Sequence, residues 1–115
     1  MKSQINTTSA ENLVTMLYDG ARKFINKSIK ALENNNIQEA NYNLLRAQDI
    51  LSELMAGINF EAGDLAQSLY SLYEYIRHLL IQSNLQKEIK PAQEALTMIS
   101  ELREAWVKML QENRL

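Results

Sequence analysis

One proline and three glycines are all the strong helix breakers in this chain of 115 residues, and Pro91 stands where a helix can begin. A sequence so poor in turn formers must spend its length in a few long elements. Apolar residues recur at spacings of three and four throughout, and β-branched residues never alternate with polar ones over a strand's length. That is the period of amphipathic helices, and the chain reads as all-α.

The interruptions divide it into four. Asn34-Asn35-Asn36 is a stop, because asparagine tolerates left-handed backbone and bonds its own main chain. Asn59 to Gly63 makes a second break, and Pro91 suits the first turn of a last helix, where its missing N–H costs nothing. The helices are expected over 9–34, 37–57, 61–84 and 90–113, after an arm at 1–8, in a single domain. Thr8 with Glu11 forms a capping box, and Ser9 alone serves one residue later. Short links between long helices make neighbours antiparallel, so the expected architecture is an elongated up-down-up-down four-helix bundle.

Gly20 lies inside the first helical pattern, which continues through Phe24, Ile25, Ile29 and Leu32. A glycine there costs about 1 kcal/mol against alanine, so close approach of a neighbouring helix is expected at that point.

Net charge is −2, with 12 Lys and Arg scattered among 14 Asp and Glu. Phosphate neutralisation needs clustered positive charge, and nucleic acid is not an expected partner. There are no cysteines, hence no disulfide, thiolate metal site or cysteine nucleophile. Met1 to Ser9 lacks the apolar stretch of a signal peptide, and no apolar run reaches the length of a membrane span. A cytoplasmic protein that does not insert in membranes is the expectation.

The apolar arcs are wider than a core needs. On the first helix, Leu13, Val14, Leu17, Tyr18, Gly20, Ala21, Phe24, Ile25, Ile29, Ala31 and Leu32 spread over about 180°, against about 100° for a core stripe, with Tyr18, Ile25 and Ile29 at the outer edge. The second helix has a compact stripe through Leu44, Ala47, Leu51 and Leu54 and leaves Tyr42 and Leu45 outside it. On the third, Ala62, Leu65, Leu69, Leu72, Tyr73, Ile76, Leu79 and Leu80 form the core stripe, with Tyr70, Tyr75 and Ile81 at its borders. The fourth spreads over about 200° and contains Arg103, whose guanidinium wants a carboxylate, with Glu53 or Asp49 as candidates.

Catalytic chemistry has nothing to stand on. His78, the single histidine, falls on the polar face of the third helix beside Glu74, and two ligands on an exposed helix make no metal site. No glycine-rich phosphate loop, nucleophile motif or paired carboxylates appear. The expectation is a binding protein, with no enzyme activity, metal or cofactor.

The ordered set of local motifs carries more. Leu13-x-x-Met16-Leu17-Tyr18-Asp19-Gly20, then Leu44-Leu45-x-Ala47-Gln48-x-Ile50-Leu51-x-Glu53-Leu54, then Ile58-Asn59-x-Glu61-x-Gly63 resembles the FliS family of flagellar secretion chaperones. Leu69-x-x-Leu72-Tyr73-x-Tyr75, Leu80-x-x-Ser83-Asn84 and Leu102-Arg103-x-Ala105-Trp106 continue the resemblance in order. It implies a cytosolic helical bundle that binds the disordered C-terminal segment of flagellin, prevents premature polymerisation and delivers it to the flagellar type III export gate. A disordered segment that folds on binding buries its apolar faces in long grooves. The arc edges then become the partner-facing positions: Tyr18, Ile25 and Ile29; Tyr42, Leu45 and Ala56; Tyr70 and Tyr75.

Two departures from the family pattern stand out. The arm ahead of the first helix is short, with Ile5 as its apolar residue, where the family's longer arm carries a tyrosine and covers part of the groove; and Ala10 replaces the proline usual after the helix cap. A short arm leaves the groove open, or closed by a partner or a second copy. The alternative reading is a self-associating helical adaptor or structural protein whose spare apolar surface makes a homodimer.

Overall fold

The structure, a computed structural model, describes residues 9–113. The arm at 1–8, with Ile5 and the Thr8 half of the capping box, lies outside the described residues. Four helices follow one another: α1 (Ala10–Glu33), α2 (Ile37–Ala56), α3 (Asp64–Gln86) and α4 (Ile89–Glu112), with a 3-10 turn at Phe60–Ala62. Each helix packs on its sequence neighbours and α1 closes the ring against α4, which leaves α1 diagonal to α3 and α2 diagonal to α4. This is the expected up-down-up-down bundle, with principal extents of 47 × 38 × 21 Å.

The chain starts and stops its helices with side chains suited to the task. The Ser9 hydroxyl accepts from the Asn12 N–H at 3.1 Å and caps α1. At the other end the three asparagines divide the turn. Asn34 is the C-cap of α1, Asn35 takes the left-handed conformation with φ 56°, and Asn36 sends its N–H back to the Ala31 carbonyl at 2.8 Å. The Asn36 side chain also caps α2 by accepting from the Glu39 N–H. Between α2 and α3, Gly63 has φ 93° and ψ −150°, a conformation closed to other residues, so α3 begins at Asp64 and not at Glu61 as the sequence suggests. It runs on to Gln86, past Asn84, until Lys87 turns left-handed at φ 54°. Pro91 sits in the first turn of α4, as expected.

The core runs through all four helices. Ile25, Leu44, Leu51, Ile76, Leu80 and Ile99 are fully buried, and each contributes about 1.5 to 3 kcal/mol by leaving water. Alanines fill the crossings at Ala21, Ala40, Ala47, Ala92 and Ala95. Gly20 answers to close packing: a Cβ there would stand 3.1 Å from Ile50 Cδ1 of α2.

The two ends of the bundle differ. At the end holding the α1–α2 and α3–α4 turns, Ala31, Leu32 and Ala40 form a small cluster closed by Ile89, and the buried Ser83 hydroxyl donates to the Glu88 carbonyl at 2.5 Å. At the opposite end Leu13 and Leu65 are exposed, Leu65 to 80%. The expected core stripe of the third helix does not close: Ala62, which lies in the 3-10 turn ahead of α3, and Leu65 and Leu72 are exposed.

Candidate partner-binding groove

The open end holds a groove of about 530 Å³. Its walls are largely aliphatic: Leu13, Val14 and Leu17 from the start of α1, Leu54 from the end of α2, Ile58 just beyond it, and Leu65 and Leu69 from the start of α3. Trp106 of α4 closes one side. Its indole N–H donates to the Thr15 hydroxyl at 2.9 Å, which fixes the ring against α1. Glu53 and Asn59 supply polar rim.

At the floor Tyr18 of α1 meets Tyr73 of α3 across the diagonal. Both are 3% exposed, and their hydroxyls share a hydrogen bond of 2.5 Å. Loss of water raises both phenols above their ordinary pKa of 10.0, and for Tyr73 the bond to Tyr18 adds to the rise. Both remain neutral at physiological pH. An apolar cleft with exposed leucines at its mouth suits the apolar face of a partner helix.

The positions expected to face a partner scatter. Tyr18 lines the groove, but as part of its floor and not at an outer edge: the arc's width is taken up by packing against both neighbours and across the diagonal. Ile25 is fully buried in the core for the same reason and offers no surface to a partner. Ile29 is half-buried and packs on the core. Tyr42 and Leu45 are exposed on the N-terminal half of α2, away from the groove, with the Arg46 guanidinium 5.9 Å from the centre of the Tyr42 ring. Ala56 is exposed next to Gly57, which lines the groove. Tyr70 is half-buried with its ring tilted on Phe60 at 5.3 Å. Tyr75 is exposed and donates its hydroxyl to the Glu94 carboxylate at 2.8 Å, and that bond holds its pKa above the ordinary value.

Of the eight, Tyr18 alone is among the residues lining the groove. Leu13, Leu65, Leu69, Tyr73 and Trp106 also line the groove and were not among the eight; Leu65, Leu69 and Tyr73 were expected in the core stripe of the third helix. Leu65, one residue after the start of α3 and two after Gly63, carried the available signal: a helix-terminal leucine has few neighbours to cover it.

Arg103 also differs from expectation. Its guanidinium reaches Asp19 of α1, with Nε 2.5 Å from one carboxylate oxygen and a terminal nitrogen 3.5 Å from the other, and this contact raises its pKa. Glu53 and Asp49 lie on α2, which is diagonal to α4, and Asp49 pairs with Arg46.

Among the described residues no group of three or more potential metal ligands comes together, and no helix is long and apolar enough to cross a membrane. Residues 1–113 match the family described as Flagellar protein FliS. The chain belongs to the FliS family. The flagellar secretion chaperone FliS of Bacillus subtilis (strain 168) is 31% identical over 113 residues, 98% of this chain and 84% of that protein. Its namesake in Escherichia coli (strain K12) is 29% identical over 112 residues, 96% and 82%. A solved structure described as a flagellar chaperone from bacteria superposes with a TM-score of 0.84 over 98% of this chain and 93% of that one, at 20% identity, which speaks for the fold. As a FliS chain it is a flagellar secretion chaperone, and the family's role is not an enzymatic one.

Proposed function

We propose that this FliS chain is a cytoplasmic chaperone specific for flagellin, which binds the disordered C-terminal segment of flagellin, keeps it from polymerising and supports its delivery to the flagellar type III export gate. The observation that carries the reading is the open groove of about 530 Å³, walled by aliphatic side chains and with the exposed Leu13 and Leu65 at its mouth. A segment that orders only on binding gives up several kcal/mol of entropy. Affinity then has to come from many apolar contacts, which a cleft walled by aliphatic side chains from α1, α2 and α3 provides.

The test is to mix the chain with purified flagellin of the same organism. The expected result is a soluble one-to-one complex on gel filtration and slowed filament growth. Flagellin that elutes alone and polymerises at its usual rate removes the proposal.

A further inference from the structure

The groove is apolar apart from the Tyr18 and Tyr73 hydroxyls at its floor and Glu53 and Asn59 at its rim. Two phenols carry two protons, and the bond between them uses one. Among the described residues that bond is the one hydrogen bond either hydroxyl makes. One O–H donor is left over, on a pair of side chains 3% exposed, inside a cleft whose other side-chain acceptors, Glu53 and Asn59, stand at the rim. A purely apolar occupant would seal that donor away unpaired, which costs free energy. A carboxylate would accept the proton, but it would have to shed its water among leucines and pass Glu53 at the rim. An uncharged acceptor meets neither obstacle.

We infer that the Tyr18–Tyr73 pair is a specificity-determining contact of the groove, which selects a partner helix bearing one uncharged acceptor side chain, Ser, Thr, Asn or Gln, within its apolar face. This rests on the groove being the docking site for the flagellin segment. The hydroxyls are dispensable for packing, since two phenylalanines of the same shape would fill the floor without any polar group to satisfy. Their presence on the floor is explained by what they offer an occupant.

The experiment measures binding of a peptide of the flagellin C-terminal segment to Tyr18→Phe, Tyr73→Phe and the double variant, with Leu65→Asp at the exposed mouth as control and thermal melting of each. Each single variant keeps one donor and is expected to bind within about threefold of the parent. The double variant keeps none and is expected to bind about tenfold or more weakly, the loss typical of a buried acceptor left without its donor. Its melting temperature should be unchanged or higher. One Ser, Thr, Asn or Gln→Ala change in the peptide should weaken binding to the parent and leave binding to the double variant as it was.

A double variant that binds like the parent while Leu65→Asp weakens binding overturns the contact and leaves the groove in place. A single variant as weak as the double, or a double variant that melts lower, makes the pair structural and also overturns it. If Leu65→Asp binds like the parent too, the docking site itself is wrong.

Discussion

Gly20 of α1 lies directly beneath Ile50 of α2, with the terminal methyl of the isoleucine 3.1 Å from the place a Cβ would take. The contact is tight, but the atom that must yield is the far end of a half-buried side chain. Gly20→Ala gains about 1 kcal/mol of helix propensity and pushes one methyl aside. The net change in stability should stay within about 1 kcal/mol by urea unfolding, whereas Gly20→Leu should lose about 1 to 3 kcal/mol by overpacking. An alanine variant that loses more than the leucine range would mean that α1 and α2 cannot adjust.

Tyr18 and Tyr73 should make the fold sensitive to alkali. Both phenols are held above 10.0 in the folded chain and return to the ordinary value when it unfolds. The unfolded chain therefore releases protons first. Their ionisation leaves stability untouched below pH 10, and stability falls as pH rises from there through the folded values. Of the five tyrosines, these two should ionise only with unfolding, seen as a late step in ultraviolet titration. The doubly phenylalanine-substituted chain should show a flatter loss of stability above pH 10, and a slope equal to the parent's would count against the assignment.

Trp106 is the chain's single tryptophan and lies in the groove wall. An occupant that excludes water there should shift its emission to shorter wavelength. The flagellin C-terminal peptide is expected to produce that shift with saturable amplitude, and Leu13→Asp, at the exposed mouth, should abolish it without changing helicity. Unshifted emission in a complex that demonstrably forms would put the partner elsewhere on the bundle.

Lys87 ends α3 with φ 54°, a conformation that costs a lysine and not a glycine. Lys87→Gly should stabilise the chain by about 0.5 to 1 kcal/mol, read from the denaturation midpoint. A decrease would show that the Lys87 ammonium bond to Asn84 outweighs the backbone relief.

Helix number, order and connections were legible because they depend on local chemistry: the asparagine triplet, Gly63 and Pro91 all act within a few residues of themselves. The placement of Tyr18, Ile25 and Arg103 was not. A helical wheel gives the angle of a side chain about its own axis, but not which neighbour stands at that angle or how far along the axis the neighbour extends. Arg103 found Asp19 because α4 lies beside α1 and diagonal to α2. Leu65 and Ile76, eleven residues apart, share one wheel face, yet one is 80% exposed and the other fully buried, because the bundle is open at one end.

An even number of antiparallel helices brings the first turn of α1 and the last turn of α4 to the same end, the one with the groove. A purification tag or surface tether on either side of the helical core therefore enters at the mouth of the groove and competes with the molecule under study. Since the chain has no cysteine, a thiol introduced at the exposed Glu33, in the last turn of α1, gives a unique attachment point at the far end of the bundle. Immobilised through that point, the molecule presents its groove to solution.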